Sequence, residues 1–208
     1  RPGFEVILRA VQGVVPEADG MVYDSDREQI GLSIAGNPQP MSNLSAGQRG
    51  LFALAADLAI KMVTQNNFLV PPDVLDSSES RLPRVLAETA GVVLIDELDV
   101  HLHPKWQRGV VQHLGTTFPA VQFIATTHSP FIVQSLRGEE LINLEGQSIP
   151  ELGNKGVELI ARGLMGVERP DVGERYQAMV EAAKSYLATL EAAAIAPREK
   201  LAEYERAL

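Results

Sequence analysis

The distribution of apolar and polar residues along the chain predicts its helices and strands, because apolar residues at helical spacing indicate helices and short unbroken apolar runs indicate strands. Residues 4–15 are mostly apolar and are predicted to form a helix. Residues 21–23 and 30–34 are short apolar runs around a polar turn, which predicts two strands. Residues 37–40, Asn-Pro-Gln-Pro, are predicted to form a loop. A long helix is predicted from Ser45. Its apolar residues recur at helical spacing: Leu51, Leu54, Ala55, Leu58, Ala59 and Met62.

The second half of the chain alternates strands with helices. The predicted order is a strand at 91–95, a helix from about Pro104 to Leu114, a strand at 121–125, a helix from Ser129 and a third strand at 141–144. This alternation predicts an α/β fold with a parallel sheet flanked by helices. The unbroken apolar run at 91–95 is typical of a strand that is buried on both faces.

Two segments lie outside this alternation. Residues 66–90 contain several prolines and are predicted to be an exposed insertion. From residue 154 the chain is predicted to be helical, and Pro197 restarts a last helix, so that the tail forms a helical hairpin. One helical face of this tail carries Tyr176, Met179, Val180, Ala183, Leu187 and Leu190. We therefore predict two domains, 1–150 and 151–208.

Composition narrows the class of protein. The 208 residues suffice for one sizeable domain with an appendage. Because there is no cysteine, disulfides and thiolate metal sites are excluded, and an intracellular, cytoplasmic protein is the default expectation. No apolar run approaches the 18 residues of a membrane span. The formal net charge of −9 argues against non-specific nucleic-acid binding by this chain alone.

Two adjacent carboxylates, Asp96 and Glu97, follow the strand at 91–95. The carboxyl end of a parallel strand is where open α/β sheets bind their ligands. A nucleoside triphosphate hydrolase needs one carboxylate for magnesium and a second group that orients or deprotonates the attacking water. The same pair could instead cap a neighbouring helix, so this motif alone leaves both interpretations open.

The segment from Ser45 to Gln48 has the spacing of a capping box at the start of the long helix. It also has the composition of an anion site, because a helix N-terminus attracts phosphate and Gly47 would allow close approach to the backbone. Both interpretations are consistent with the sequence.

Histidines supply the remaining candidate chemistry. His128 follows the strand at 121–125, where it could contact a terminal phosphate or a neighbouring carbonyl group. His101 and His103 alternate beside the acidic residues, which is a weak signal for a transition-metal site. A metal-dependent hydrolase built on these histidines and the two carboxylates is therefore an alternative hypothesis.

Three motifs in order resemble the signature, Walker B and switch-histidine motifs of ABC-type ATPases, in the branch that contains SMC and RecF-like proteins. They are Leu44-Ser45-Ala46-Gly47-Gln48-Arg49, Val92-Val93-Leu94-Ile95-Asp96-Glu97 and Thr126-Thr127-His128-Ser129. The run from Asp96 to Gln107 is similar to that of bacterial AAA-family proteins, some of which serve in anti-phage defence with Septu systems or retrons. The resemblance covers about residues 20–170.

The resemblance implies part of a P-loop NTPase fold, the ABC ATPase head, with a helical appendage. It implies that Asp96 holds Mg²⁺, that Glu97 activates water and that His128 contacts the γ-phosphate of ATP. Ser45, Gly47 and Gln48 would reach ATP bound to a second head, which implies a homodimer. The intact protein would hydrolyse ATP in DNA maintenance or defence, with an effector nuclease or DNA as a further partner and no membrane.

The chain departs from the family pattern in two ways. No Gly-Lys-Ser or Gly-Lys-Thr of a phosphate-binding P-loop occurs in it, so we expect a piece of a larger protein that alone binds ATP poorly and is inactive. His103 also stands where related proteins have the D-loop aspartate. Asp99 is a candidate substitute and is therefore also expected to contact the nucleotide. A non-catalytic fragment that docks on a separate P-loop chain is the second hypothesis.

Overall fold

The computed structural model describes residues 2–25, 28–70, 82–144, 155–192, 201–202 and 205–206. These fall into two compact units, Arg1–Asn154 and Lys155–Leu208. The helices of the first unit are Pro2–Val14 (α1), Ala46–Gln65 (α2), Arg84–Glu88 (α3), Pro104–Gln107 (α4), Val110–Thr117 (α5) and Pro130–Ser135 (α6). Its strands are Ala18–Asp24 (β1), Gln29–Ile34 (β2), Asn37–Pro40 (β3), Gly91–Ile95 (β4) and Val121–Ala125 (β5). The second unit contains Val157–Gly163 (α7) and Glu174–Ala192 (α8).

An antiparallel sheet of order β1-β2-β3 forms the early part of the first unit. The strands predicted at 21–23 and 30–34 are confirmed as β1 and β2. The loop predicted at 37–40 is wrong, because Asn37–Pro40 pairs with β2 as β3. Proline lacks an amide hydrogen and is tolerated on the edge of a sheet, where its nitrogen faces away from the neighbouring strand. The position of β3 at the sheet edge therefore accommodates Pro38 and Pro40.

Strands β4 and β5 pair in parallel from Gly91↔Val121 to Ile95↔Ala125, which confirms the predicted α/β arrangement. The prediction that β4 is buried on both faces is wrong. Val93 and Ile95 pack against the hydrophobic core, whereas Val92 and Leu94 are 62% and 76% exposed. Among the described residues this sheet has two strands, and the hydrophobic core packs against one of its faces.

The hydrophobic core of the first unit lies between α1, α2 and α5 and one face of the sheets. Its largest fully buried side chains include Phe118, Leu32, Leu86 and Leu114. The long helix predicted from Ser45 is confirmed as α2, whose buried face carries Leu51, Ala55, Leu58, Ala59 and Met62. This packing holds the beginning of α2 and the end of β4 in one framework.

Three further predictions need correction. Part of the predicted exposed insertion is α3, in which Val85 and Leu86 are fully buried; residues 71–81 lie outside the described ranges. The predicted helix 104–114 is two helices, because Gly109, a weak helix former, separates α4 from α5. Residues 141–144 form no strand: no described strand pairs with them, and Ile142 is 80% exposed.

The second unit is helical over α7 and α8, as predicted from residue 154 onward. The predicted restart at Pro197, and with it the hairpin, lies outside the described residues. None of the helices in the described ranges is both long and apolar enough to cross a membrane.

Candidate functional site

The ends of the two parallel strands bring a carboxylate and a hydroxyl together. The pairing of Ile95 with Ala125 makes Asp96 and Thr126 neighbours one residue later. Thr126 Oγ1 donates a 2.6 Å hydrogen bond to Asp96 Oδ1 and accepts one of 2.8 Å from the Glu97 amide. The Leu98 amide donates to the Thr126 carbonyl oxygen at 2.9 Å. Thr126 therefore holds the side chain of Asp96 and the backbone on both sides of Glu97.

The backbone of Glu97 has a φ of +52°, in the left-handed region. Such a conformation is uncommon for a residue with a side chain and costs about 1–3 kcal/mol, so the surrounding contacts must hold it in place. The bond from the Glu97 amide to Thr126 is one such contact. Asp96 and Glu97 are both exposed to solvent, where they are accessible to a ligand.

Asp99 links the acidic segment to His128. Its Oδ1 accepts hydrogen bonds from the Thr127 hydroxyl and, at 3.0 Å, from the His128 amide. Burial raises the pKa of Asp99, but these two hydrogen bonds, together with its own amide and the nearby His128 ring, outweigh burial and lower the pKa below its ordinary value. The ionised carboxylate therefore holds the backbone of His128 beside the loop that carries Asp96 and Glu97.

Ser45 and Gln48 form the predicted capping box at the start of α2. The Gln48 amide donates to Ser45 Oγ at 3.2 Å, and the Ser45 amide donates to Gln48 Oε1 at 2.9 Å. The capping interpretation is confirmed. A role of these residues in binding phosphate stays a prediction.

Gly47 is buried, and close packing explains why a glycine occupies this position. A Cβ atom at this position would lie 2.5 Å from the carbonyl oxygen of His101. His101 itself has a φ of +62°, which turns the loop after β4. Glycine is therefore required here by close packing between the start of α2 and this loop, whether or not a phosphate also binds.

The two loop histidines do not assemble a metal site. His103 Nδ1 accepts a 3.2 Å hydrogen bond from the Lys105 amide and caps α4, which begins at Pro104. In the described ranges no three histidine or acidic side chains cluster as metal ligands. The hypothesis of a transition-metal hydrolase therefore has no supporting ligand set.

Asp96 does fit the chemistry of a magnesium ligand. It is an exposed carboxylate at the carboxyl end of a parallel strand, and its contact to Thr126 uses Oδ1. Magnesium keeps several water ligands and commonly takes one or two carboxylates together with phosphate oxygens. Asp96 would thus supply one ligand of such a set.

Asp96, Glu97, Asp99 and His128 were candidate residues from the sequence, whereas Thr126 belonged to a quoted motif but had no predicted role. The two predicted strands have equal lengths of five residues, and Asp96 and Thr126 are the first residues after them. In the structure the strands pair from their first residues to their last. The parallel register alone predicts that residue 126 lies beside residue 96.

Residues 34–134 match a protein family described as "AAA domain, putative AbiEii toxin, Type IV TA system". The match includes all three motifs and every candidate residue named above. These residues form an AAA-family domain.

Curated relatives of this AAA domain come from bacteria. The chain is 35% identical over 139 residues to "Retron Vc95 probable ATPase" of Vibrio cholerae. The aligned segment covers 66% of this chain and 24% of that protein. It is 31% identical over 148 residues to "Septu protein PtuA" of Bacillus mycoides, covering 69% of this chain and 18% of that protein. The chain is thus homologous to retron and Septu ATPases and spans about a quarter or less of their length.

The solved structures that are similar to this chain include SMC ATPase heads. One, described as "Structural biochemistry of ATP-driven dimerization and DNA stimulated activation of SMC ATPases", is 17% identical, with a TM-score of 0.46 over 81% of this chain and 95% of that one. A second, "Crystal structure of the SmcHead bound to the C-winged helix domain of ScpA", is 18% identical with a TM-score of 0.40. It covers 64% of this chain and 36% of that one.

Proposed function

We propose that this chain provides the carboxylate and histidine side of an ATP-hydrolysing head. The supporting observation is the hydrogen-bonded cluster at the ends of β4 and β5, in which Thr126 contacts Asp96 and Glu97 while Asp99 contacts the amide of His128. The cluster lies at the carboxyl edge of a parallel sheet, where open α/β folds bind ligands, and it contains carboxylates and a histidine of the kinds that hold Mg²⁺, activate water and contact phosphate in ATP-hydrolysing enzymes.

In this proposal Asp96 holds Mg²⁺, and Glu97 accepts a proton from the attacking water or orients it. His128 hydrogen-bonds the γ-phosphate. When bound, the metal ion would neutralise charge that develops on the phosphate oxygens. Asp99 acts on the same site through the backbone of His128, because its carboxylate accepts the His128 amide hydrogen.

The start of α2 would serve a second ATP molecule. Ser45 and Gln48 are at the N-terminus of a 20-residue helix, where the backbone dipole favours anions. We propose that Ser45, Gly47 and Gln48 contact ATP held by another head, so that two heads pair head-to-tail around two nucleotides. The phosphate-binding loop for each nucleotide would come from a part of the protein outside these 208 residues.

The relatives support a proposal for the biological task of the complete protein. Homologues named for retrons and for Septu suggest a role in anti-phage defence, with an effector nuclease or DNA as the partner of the complete protein. The ATPase cycle would then control that effector. A task in DNA maintenance is the alternative.

Metal binding provides a direct test in the protein expressed from the complete coding sequence. Mn²⁺ can replace Mg²⁺ and is detected by electron paramagnetic resonance. With ATP present, Asp96→Asn should weaken Mn²⁺ binding by about tenfold or more, because a neutral amide replaces a charged ligand. Asp57→Asn is the matched control, since Asp57 is exposed on α2 and pairs with Lys61. Equal Mn²⁺ affinity in the Asp96→Asn variant and the wild type would overturn the assignment.

A further inference from the structure

The side chain of Gln107, at the end of α4, connects the two loops of the candidate site. Its Nε2 donates hydrogen bonds to the carbonyl oxygens of Asp99, at 3.2 Å, and Leu102, at 3.0 Å. Its Oε1 accepts a 2.7 Å hydrogen bond from the Ser129 hydroxyl. Both donors of the amide group and its oxygen are therefore used.

The partners of Gln107 belong to two segments that carry the candidate chemistry. Asp99 and Leu102 lie in residues 97–103, which we call the carboxylate loop. Ser129 lies in residues 126–129, which we call the histidine loop. Asp99 is held twice, because its carbonyl oxygen accepts from Gln107 while its carboxylate accepts from the histidine loop. Gln107 thus reinforces the contact that positions His128.

Ser129 extends the connection to the following helix. It is buried, and its Oγ also accepts hydrogen bonds from the amides of Phe131, at 3.1 Å, and Ile132, at 3.3 Å. Ser129 therefore caps α6 at the same time as it donates to Gln107. Without the hydrogen bond to Gln107, the Ser129 hydroxyl would be held only by the amides of α6 that it caps.

The histidine-rich segment before α4 has a structural explanation in these contacts. His101 turns the carboxylate loop through its positive φ, Leu102 is buried, and His103 with Pro104 begins α4. Gln107 lies at the end of that helix, less than one turn beyond Pro104. The segment from His101 to Gln107 therefore places the Gln107 side chain next to the carboxylate loop and next to Ser129.

We propose that Gln107 is a positioning residue that sets His128 relative to Asp96 and Glu97. It touches no reacting atom and acts through the backbone of the carboxylate loop and through Ser129. The significance of this inference for catalysis rests on the proposed function, but the coupling of the two loops does not. Because the side chain of Gln107 is half-buried, water competes only partly for its hydrogen bonds.

Amide hydrogen exchange, followed by NMR in the full chain without nucleotide, tests this coupling. Gln107→Met keeps the length of the side chain and removes all three hydrogen bonds. The amides of Leu102 and His128 should exchange about tenfold faster, while those of α1 keep the wild-type rate. Gln112→Met is the matched control, because Gln112 is exposed on α5 and lies outside this network. Unchanged exchange at both Leu102 and His128 in the folded Gln107→Met variant would overturn the proposal.

A second variant separates the two sides of the connection and serves if Gln107→Met does not fold. Gln107→Glu keeps an acceptor for the Ser129 hydroxyl but removes the donors to the carboxylate loop. Exchange should then rise about tenfold at Leu102 and stay at the wild-type rate at Ile132. Equal protection of Leu102 in the wild type and in Gln107→Glu would contradict the positioning role.

The two proposals fail separately. If the complete protein hydrolyses ATP, Gln107→Met should lower kcat about tenfold with little change in KM, because the variant alters positioning and leaves the nucleotide contacts in place. An exchange effect without any ATP hydrolysis by the wild type would refute the proposed function and leave the coupling intact. A kcat equal to that of the wild type would refute the catalytic part of the inference.

Discussion

Removal of the Thr126 hydroxyl is the most specific perturbation of the cluster at the strand ends. Thr126→Val preserves the branched shape of the side chain and eliminates both of its hydrogen bonds, one to Asp96 Oδ1 and one from the Glu97 amide. The left-handed backbone of Glu97 then loses a contact that offsets its conformational cost. We expect the carboxylate loop to open more often, without unfolding of the whole domain.

The size of this effect follows from the two bonds. A hydrogen bond to a charged group contributes about 1.5–3 kcal/mol, and a neutral one about 0.5–1.5 kcal/mol. Thr126 and Asp96 are exposed, so water replaces part of what is lost and the total does not exceed the sum of the two lower limits, about 2 kcal/mol. We expect the free energy of local opening to fall by about 1–2 kcal/mol, which raises the open population roughly 5- to 30-fold.

Hydrogen exchange at the Glu97 and Leu98 amides measures this opening directly. Thr126→Ser retains the hydroxyl and should exchange as the wild type does. Thr116→Val is the matched control, because the Thr116 hydroxyl bonds only to carbonyl oxygens of its own helix. If Thr126→Val and Thr116→Val leave exchange at residues 97 and 98 equally unchanged, Thr126 does not hold the acidic pair and the reasoning is refuted.

Three further predictions concern Gly47, Asp99 and Ser45. Gly47→Ala should lower the free energy of unfolding, measured in urea, by about 1–3 kcal/mol, because the new methyl group would collide with the His101 carbonyl oxygen. In the control variant Gly50→Ala the methyl group enters open space, and the free energy of unfolding should rise by up to about 1 kcal/mol. Equal effects would show that the contact has no energetic weight. Because the pKa of Asp99 is lowered in the folded protein, its ionised form stabilises the fold above its ordinary pKa of 3.8, and this stabilisation is lost as the pH falls toward the lowered value. The stability difference between the wild type and Asp99→Asn should therefore shrink from about pH 6 to about pH 3 in urea titrations, and a constant difference would contradict the assignment. Ser45→Arg should block ATP-dependent dimerisation of the complete protein while circular dichroism stays unchanged; a dimer that still forms in light scattering would limit Ser45 to its capping role.

The sequence was sufficient to predict the elements that position the candidate site. The apolar runs at 91–95 and 121–125 and the capping pattern at Ser45 are local signals. The two strands have the predicted bounds, and the long helix begins directly after Ser45. Because parallel strands end at one edge of a sheet, the proximity of Asp96 and residues 126–128 also follows from the pattern.

The errors concern features that depend on distant partners. Residues 37–40 pair as a strand because β2 has a free edge, and the local sequence with its two prolines does not indicate that such an edge is available. The exposure of Val92 depends on how many strands and helices surround β4, which a short apolar run does not encode. Residues 141–144 resemble a strand in composition, yet in the described part of the chain they have no strand to pair with.

The contacts of Gln107 and Gly47 were equally hidden. A glutamine at the end of a short helix has no distinctive pattern, and its hydrogen bonds go to backbone atoms of two loops. Gly47 did stand out in the sequence, but its packing against the His101 carbonyl oxygen depends on the turn that His101 makes with its positive φ. Such contacts follow only from tertiary structure.

The rate of ATP hydrolysis by the Glu97→Gln variant tests the central claim most directly. In the complete protein this change keeps the size of the side chain and removes the carboxylate that would accept a proton from water. We expect kcat to fall by about 10²- to 10⁴-fold while ATP still binds and the nucleotide-bound dimer accumulates. Glu88→Gln, which alters an exposed carboxylate paired with Arg84 on α3, should leave kcat unchanged. Hydrolysis by Glu97→Gln at the wild-type rate would contradict the assignment of Glu97 and with it the proposed hydrolytic site.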